Sequence, residues 1–254
     1  MRLAALPLPP PFRLVRYETV GSTNDEAKRL AQGGAESGTI VCAGTQTAGR
    51  GRRGREWVSP PGNLYLSIVW RPECPLGHAA QLGFVASLAL AEAVDPAIPA
   101  WLALRLKWPN DLLLGGRKLA GILLESETAS GSIADFVVIG IGVNLASAPD
   151  GAETPATSLA GEGLPPVAPE TVLASLAERF GEWAGRWRRD GFAPVRAGWL
   201  ARASGVGEAV RVRLERTTLH GRFADLDESG ALLLDQESGR RRIAAGDVFP
   251  AAAG

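Results

Sequence analysis

The segment from residue 49 to residue 55 reads GRGRRGR and packs arginines and glycines together. Glycine allows a backbone to approach an anion closely, and each guanidinium offers a planar fork of N–H donors that matches a phosphate or a carboxylate. This arginine loop (residues 49–55) therefore predicts a binding site for an anionic ligand. It lacks the GxxxxGK[ST] order of a P-loop, and it does not open a helix as a GxGxxG dinucleotide fingerprint does.

Other interpretations of the arginine loop compete on composition alone. They are a solvated flexible loop, an RGG-like tract that binds RNA, and a plain surface turn. The context favours a ligand site, because the loop lies between two apolar segments and runs into Trp57, whose indole can stack on a base.

A second cluster of chemical groups follows an apolar segment at Lys107-Trp108-Pro109-Asn110-Asp111. Asn and Asp are also ordinary turn residues, so the cluster by itself leaves a plain turn open. Lys118 stands just before the apolar run LAGIL. A lysine there either caps a strand edge or stabilises negative charge that develops at a nearby phosphate.

Polar side chains without charge form a third group. Ser22, Thr23, Asn24 and Gln46 can satisfy a neutral polar ring such as a urea or an amide. The two histidines, His78 and His220, have no catalytic context and no GxSxG motif occurs, so a Ser-His-Asp hydrolase is excluded.

The composition describes a neutral, globular chain. Its 254 residues are 46% hydrophobic, and 27 Lys plus Arg balance 27 Asp plus Glu, so a positive patch must be local. Two cysteines, Cys42 and Cys74, are too few for a disulfide framework and fit a reducing cytosol. No uninterrupted run of about 18 apolar residues occurs and prolines break the N-terminal segment, so we expect neither a membrane span nor a signal peptide.

The elements that must position these groups follow from periodicity and turn residues. Thr23 and Glu26 predict a capping box that opens a helix ending near Gly33. Apolar residues at every third or fourth position predict a second, amphipathic helix over 169–190, and an Ala- and Leu-rich segment predicts another over 78–93. Strands are predicted over 38–44, 63–70, 101–108, 119–126 and 136–145, with a loop over 146–168.

The hydrophobic pattern of the sequence changes near residue 207. Short alternating segments separated by polar turns, AVRVRLE, GRFADLD, GALLLDQ and RRRIAAGDVF, predict a small separate β-barrel. We therefore expect two domains, residues 1–205 and residues 206–254.

These motifs together resemble, in order and spacing, those of the biotin protein ligase family, the biotin–[acetyl-CoA-carboxylase] ligases. The motifs are GSTN (21–24), TQTAGRGRRGREWVSPPGNLYLSI (45–68), LKWPNDLLL (106–114), RKLAGILLE (117–125) and IGIGVNL (139–145). The resemblance spans residues 13–250. It implies an α/β (α+β) catalytic domain of the class II synthetase-like type with a central mixed sheet, followed by an SH3-like β-domain.

The resemblance also implies an activity. Such enzymes join the carboxylate of biotin to the α-phosphate of ATP with Mg²⁺, release pyrophosphate, and pass biotin from biotinyl-AMP to a lysine of the biotin carboxyl carrier domain of acetyl-CoA carboxylase. It implies a cytoplasmic enzyme without a tightly bound prosthetic group or a membrane partner, with a homodimer through the sheet as an option. Relatives that also act as repressors carry an additional N-terminal winged-helix domain, whereas residues 1–12 alone precede the first expected strand here, so we expect no DNA binding.

Roles for individual residues are carried over from the same resemblance. Lys118, Arg52 and Asp111 are expected to be catalytic, with Asp111 also a candidate ligand for Mg²⁺ and a candidate base toward the acceptor lysine. The expected biotin site comprises Ser22, Thr23, Asn24, Gln46, Gly49, Arg50, Arg52, Gly121, Leu123 and Gly140. The expected ATP and adenylate site comprises Arg50, Arg52, Arg55, Trp57, Lys107, Asn110, Asp111, Lys118 and Asn144. The arginine loop is expected to be disordered when empty and to close over the intermediate.

Two alternatives stay open from the sequence. A lipoate or octanoate ligase or transferase would use a related catalytic domain with a differently patterned loop. A non-catalytic RNA-binding module would use GRGRRGR to bind nucleic acid with an affinity that falls with salt.

Overall fold

A mixed sheet forms the centre of the protein in the computed structural model, which describes residues 6–128, 132–150 and 154–251. Its strands are β1 (Arg13–Val20), β2 (Thr39–Gln46), β3 (Leu64–Trp70), β4 (Leu104–Lys107), β5 (Asp111–Leu114), β6 (Arg117–Glu127) and β7 (Phe136–Val143). Within the described residues this sheet is seven-stranded, with the order β1-β2-β3-β7-β6-β5-β4. β1 runs parallel to β2 and the other neighbours are antiparallel, so the sheet is mixed as expected.

Helices cover both faces of this sheet. The helices are α1 (Thr23–Gln32), α2 (Leu76–Ala79), α3 (Leu82–Val94), α4 (Pro169–Asp190) and α5 (Ala193–Ala201). α1 packs Ala27 and Ala31 against Val41, Val69 and Val138 on one face. The larger core on the opposite face contains the apolar stripe of α4 and almost the whole of α3. The strands are therefore apolar on both sides, as the continuous hydrophobic runs in the sequence require.

One apolar segment is long enough to cross a membrane by length and composition. It runs from Leu76 to Ala97, and 78% of its most apolar window is buried inside the protein. We interpret it as a core helix, because α3 lies between the sheet and α4.

A second, antiparallel sheet follows α5. It consists of β8 (Ala209–Arg213), β9 (Thr218–Leu226), β10 (Leu232–Gln236), β11 (Gly239–Ile243) and β12 (Asp247–Pro250), in the order β11-β10-β9-β8-β12. The indole nitrogen of buried Trp108 donates a hydrogen bond of 3.0 Å to the carbonyl of Gly230 in the β9–β10 turn. Gln81 donates a second one, 3.1 Å long, to the carbonyl of Glu228. The C-terminal sheet is thereby fixed to the central sheet beside the Lys107–Asp111 segment.

Most predicted elements are present, with shifted ends. The amphipathic helix coincides with α4, and the Ala- and Leu-rich segment forms α2 and α3. β5 and α5 were not predicted, and β1 was expected only from the family resemblance, as the strand that follows residues 1–12. The segment 101–108 is a strand only over Leu104–Lys107, and the expected loop holds a short 3₁₀ turn at Ala160–Glu162, while residues 151–153 lie outside the described residues.

The expected capping box is wrong. Ser22, not Thr23, is the N-cap residue of α1, and no side-chain cap hydrogen bond forms there. Glu26 instead accepts hydrogen bonds from Arg29 and Tyr17, which together lower the pKa of its carboxyl to about 2. The side chain of Thr23 turns toward the sheet, where it meets Gln46 and Ser67.

The junction at Trp108 provides a test of how the two sheets are held together. Trp108→Phe keeps most of the buried apolar surface but leaves the Gly230 carbonyl without its donor, so we expect a loss of about 1 to 3 kcal/mol in the free energy of unfolding. Urea denaturation measures this loss. Trp101→Phe, at an indole that is 76% exposed, is the control and should change the value by less than about 0.5 kcal/mol. Equal effects of the two substitutions would contradict the role given to the junction.

Candidate active site

A cavity of about 430 Å³ opens where the central sheet, the arginine loop and the C-terminal sheet meet. All the expected site residues except Gly49 line it: Ser22, Thr23, Asn24, Gln46, Arg50, Arg52, Arg55, Trp57, Lys107, Asn110, Asp111, Lys118, Gly121, Leu123, Gly140 and Asn144. Segments that are far apart in the sequence therefore converge on one site. Its volume is within the range of small-molecule and cofactor sites.

One wall of the cavity is a chain of uncharged polar groups. The Gln46 side-chain oxygen accepts hydrogen bonds from the backbone nitrogen of Thr23 (2.8 Å) and from its hydroxyl (3.1 Å), and the Gln46 amide donates to Ser59. Fully buried Ser67 lies 2.8 Å from the Thr23 hydroxyl and donates to the Asn24 side-chain oxygen at 2.6 Å. These contacts fix the orientation of each polar group before any ligand arrives.

Two glycines of neighbouring strands make room for an indole. A Cβ atom on Gly142 would lie 2.5 Å from Cε2 of Trp57, and one on Gly121 would lie 3.0 Å from Cζ3. The indole therefore lies flat against the backbone of β6 and β7. Among the described residues, its Nε1 atom is buried without a hydrogen-bond partner, and the Lys118 ammonium stands 5.4 Å from its ring centre.

A second wall holds a carboxylate between two lysines. Asp111 lies 2.5 Å from the Lys118 Nζ and 3.3 Å from the Lys107 Nζ. β5 and β6 bring these residues together, since Asp111 pairs with Gly121 in register and Lys118 lies three residues earlier on β6. Lys107 also faces the Phe249 ring of β12, at 5.2 Å.

Two asparagines brace the walls instead of standing free. The Asn110 amide donates to the Ile122 carbonyl at 2.6 Å, which fixes the turn between β4 and β5 to β6. The buried Asn144 amide donates to the Thr157 carbonyl at 3.1 Å. Both side chains line the cavity, and the Asn110 side-chain oxygen also accepts a hydrogen bond of 3.3 Å from Arg52 of the arginine loop.

The arginine loop has a defined path in this structure. Gly51 donates its backbone N–H to the Arg55 carbonyl at 2.7 Å, and residues 52–54 form a 3₁₀ turn. Arg50 makes a two-bond contact with Asp25 of α1, at 2.7 and 2.5 Å. The hydrogen bonds from Arg50 are the main reason why the pKa of Asp25 lies below its ordinary value.

The remaining loop arginines gather around one carboxylate of the C-terminal sheet. Asp247 at the start of β12 lies 3.5 Å from Arg52, 3.6 Å from Arg53 and 3.1 Å from Arg55. Arg213 of β8 adds a contact of 3.2 Å. Burial by itself raises the pKa of Asp247, but the hydrogen bond from Arg213 and the charges of the loop arginines outweigh it and lower the pKa below its ordinary value.

Gly49 is the predicted site residue that does not line the cavity. A Cβ atom there would lie 2.5 Å from the Trp57 carbonyl oxygen and 2.7 Å from the Ser59 hydroxyl. Gly49 thus permits the close packing at the base of the loop. Its role in the site is therefore indirect, through the position of the loop that carries Trp57.

Some residues of the cavity were missed by the sequence analysis. Gly142 lies in the predicted strand 136–145 and in the motif IGIGVNL, but no role was assigned to it. Ser67, which supports the polar wall through hydrogen bonds without lining the cavity itself, lies inside an apolar strand. The cavity-lining residues Asp247 and Phe249 lie in the C-terminal segment that was treated as a separate unit. No local pattern connects those two with a loop about 190 positions earlier.

Comparison with known families decides the relationship. A model described as "Biotin/lipoate A/B protein ligase family" matches residues 17–144, and one described as "Biotin protein ligase C terminal domain" matches residues 205–249. The chain belongs to the biotin/lipoate A/B protein ligase family. The resemblance inferred from the motifs is therefore confirmed.

Individual members of this family are similar over nearly the whole chain. The biotin–[acetyl-CoA-carboxylase] ligase of Paracoccus denitrificans is 48% identical, over 90% of this chain and 96% of its own length. The bifunctional ligase/repressor of Bacillus subtilis is 34% identical, over 92% of this chain and 73% of its own length. A solved structure of the Aquifex aeolicus biotin protein ligase with biotin and ATP superposes with a TM-score of 0.78 at 29% identity, covering 93% of this chain and 97% of that one. The expected fold class is confirmed.

The packing of Trp57 against Gly121 and Gly142 gives a first test of the site geometry. Gly142→Ala places a methyl group inside the space of the indole, so Trp57 must leave the strands and become accessible to solvent. We expect iodide to quench a larger fraction of the tryptophan fluorescence, measured in a Trp101→Phe background that removes an exposed indole. Gly77→Ala is the control, because a Cβ there meets nothing within 4 Å. Unchanged quenching in Gly142→Ala would show that the position of the Trp57 indole does not require glycine at residue 142.

Asp247 gives a test based on pH. Because its folded-state pKa lies below the ordinary value of about 3.9, its ion pairs stabilise the fold at neutral pH and lose their effect as pH falls through the folded pKa. We expect Asp247→Asn to lower the free energy of unfolding by about 2 kcal/mol at pH 7. The difference from the native protein should shrink below pH 4 in denaturant titrations. A difference that is constant from pH 7 to pH 3 would show that the carboxylate charge is not responsible.

Proposed function

We propose that this protein is an ATP-dependent biotin ligase. It forms biotinyl-AMP from biotin and ATP and then transfers biotin to a lysine of the biotin carboxyl carrier domain of acetyl-CoA carboxylase. The observation that carries the proposal is the convergence of two kinds of wall on one cavity: oriented uncharged polar groups on one side, and the arginine loop with Lys118 on the other. The names of the relatives and the ligands in the Aquifex structure support it.

The uncharged wall suits a cyclic urea. A ureido ring presents two N–H donors and one carbonyl acceptor, and the hydroxyl and amide groups of Thr23, Ser22 and Gln46 can serve both. Gly140 lets Asn24 pack directly against β7 at this wall, because a Cβ atom there would lie 2.2 Å from the Asn24 side-chain oxygen. Leu123 and Gly121 line the apolar part of the same cavity and would contact the ring system and its chain.

The charged wall suits the chemistry of adenylation. The biotin carboxylate attacks the α-phosphorus of ATP, the bond to the β-phosphate bridge breaks, and pyrophosphate leaves. A carboxylate must approach a polyphosphate in this step, so positive groups have to offset the repulsion. In this proposal Lys118 holds the developing charge between the two reactants, and Arg50, Arg52 and Arg55 contact the carboxylate and phosphate oxygens.

The transfer step uses the same groups. The acceptor lysine, once deprotonated, attacks the acyl carbon of biotinyl-AMP, an amide bond forms and AMP leaves. Lys118 polarises the acyl carbonyl, and Trp57 and Asn144 hold the adenylate. We assign Lys107 and Asn110 to the nucleotide side of the cavity.

Asp111 has three roles in this proposal. Its carboxylate keeps the Lys118 and Lys107 ammonium groups in place at 2.5 and 3.3 Å. We also assign the Asp111 carboxylate as a ligand for Mg²⁺ and as the base that deprotonates the acceptor lysine. Mg²⁺ usually keeps most of its ligands as water and phosphate oxygens, so one protein carboxylate fits its needs. When bound, Mg²⁺ neutralises phosphate charge.

The wider setting is part of the same proposal. We assign residues 1–205 to the catalytic domain and residues 206–254 to a small SH3-like domain, with the acceptor carrier as partner and a homodimer through the sheet as the family-based expectation. The proposal includes a cytoplasmic enzyme that binds neither DNA nor a membrane.

A lipoate or octanoate ligase or transferase is the second candidate, since the matching family includes lipoate enzymes. The polar wall argues against it. An aliphatic chain in this slot would leave polar groups without partners, at a cost of about 1 to 3 kcal/mol for each. An RNA-binding module is disfavoured by the pairing of the loop arginines with Asp25 and Asp247 around a cavity.

Pyrophosphate release with ATP and Mg²⁺ tests the proposal. We expect release with biotin and not with lipoate or octanoate, and we expect Lys118→Ala to lower the rate by about 100-fold or more, because a charge at the reacting centre is lost. Lys28→Ala is the matched control, because Lys28 on α1 pairs with Glu127 at the end of β6 and does not line the cavity. Transfer of biotin to a carrier domain is measured in parallel by mass spectrometry.

Each other outcome leads to a different conclusion. Release with lipoate or octanoate alone would move the protein to the other branch of the family. If neither biotin, lipoate nor octanoate supports pyrophosphate release and the protein binds RNA in a salt-sensitive way, the result would favour the nucleic-acid module. A Lys118→Ala protein as active as Lys28→Ala would remove Lys118 from the reacting centre.

A further inference from the structure

We propose that Asp247 is a positioning residue that assembles the arginine loop before ATP arrives. It acts through Arg52, Arg53 and Arg55, and it gives the C-terminal sheet a part in nucleotide binding. This inference rests on the proposed function, because that function assigns Arg52 and Arg55 to the carboxylate and phosphate oxygens of the reactants.

The burial of Asp247 is the first argument. Its side chain is 9% exposed, although it carries a charge and lies beside the cavity. A buried carboxylate is costly unless cations and hydrogen bonds offset the loss of water. Here the offset comes from both sides of the junction: Arg213 on β8 of the same sheet, and three arginines of the loop. The carboxylate is thus built into the contact between the loop and the C-terminal sheet.

The loop itself needs such an anchor. Guanidinium groups crowded into residues 50–55 repel one another, and the glycines between them give the backbone little preference for one path. Arg53 has φ of 57° and ψ of 32°, in the left-handed region that residues with a Cβ rarely adopt. A residue stays in that region only when its surroundings determine it. The ion pairs with Asp247 supply that determination.

Anchoring leaves the arginines able to bind phosphate. Each guanidinium has five N–H donors in a fixed fork, so it can contact Asp247 and a phosphate oxygen at once. Arg52 shows this capacity, since it donates to the Asn110 side-chain oxygen and to the Gly246 carbonyl, both at 3.3 Å, while it lies 3.5 Å from Asp247. Without Asp247, the ordering of the loop becomes part of the cost of binding ATP.

Trypsin digestion and steady-state kinetics of the full chain test the inference. In Asp247→Asn without ligands, we expect cleavage after residues 50–55 to be about tenfold faster, because a charge-assisted contact of the loop is lost. The KM for ATP should rise about tenfold for the same reason, while the KM for biotin stays within about twofold. Asp247→Glu should restore most of the protection and most of the ATP affinity.

Two further variants separate the loop contact from the stability of the sheet. Asp235→Asn removes ion pairs with Arg222 and Arg240 in the same sheet but touches no loop residue, and it should leave both readouts as in the native protein. Arg53→Gln removes one partner of Asp247 from the loop side and should speed cleavage after Arg52 and Arg55 even if Asp247→Asn does not fold.

The results that would overturn the inference are distinct from those that would overturn the proposed function. Native-like cleavage in both Asp247→Asn and Arg53→Gln would show that Asp247 does not hold the loop. A lower KM for ATP in Asp247→Asn would show that the carboxylate competes with phosphate instead of preparing its site. Cleavage is measured without ligands, so it stands even if the native protein releases no pyrophosphate with biotin.

Discussion

Electrostatic repulsion among cations is the constraint on which this structure depends. Among the described residues that line the cavity, Arg50, Arg52, Arg55, Lys107 and Lys118 are cationic. Each of the three carboxylates Asp25, Asp111 and Asp247 lies within 4 Å of at least one of them. Two unit charges at about 4 Å interact by about 4 kcal/mol at an effective dielectric of 20, so neither the crowding nor its relief is a small effect. The carboxylates come from α1, β5 and β12, and the fold can be understood as the means of bringing these elements to one place.

The shape of the cavity depends on a second constraint, which is the absence of side chains at chosen positions. Gly121, Gly140 and Gly142 lie on the adjacent strands β6 and β7, and a methyl group on any of them would meet Trp57 or Asn24. Since glycine weakens a strand interior, these positions trade strand stability for close approach. The buried, two-sided packing of the same strands on α1 and α3 compensates for that loss.

The sequence predicts the parts of this protein that depend on local patterns. The stripe of apolar residues in α4 and the alternating strands near the C-terminus are examples, because burial of one face imposes a period on the chain. The family and the ligase class followed from motif order and are confirmed. β5 was missed because Pro109, Asn110 and Asp111 resemble the end of a strand, whereas here Trp108, Pro109 and Asn110 form a tight turn and Asp111 begins the next strand of a hairpin. Asp247 was missed because its partners are distant in sequence, and a lone aspartate at a strand start gives no local signal. The roles of the individual site residues stay predictions.

The position of Asp247 on β12 determines when, during synthesis on the ribosome, the arginine loop acquires this carboxylate as a partner. Domains fold as units during synthesis, beginning from the N-terminal part of the chain. All strands of the central sheet emerge before residue 150, yet the carboxylate that gathers Arg52, Arg53 and Arg55 follows about a hundred residues later. A nascent chain can therefore hold a finished sheet and a loop of uncompensated positive charge at the same time. Synthesis of β12 then brings Asp247 to Arg52, Arg53 and Arg55, so a chain that ends before β12 lacks the carboxylate that these arginines share.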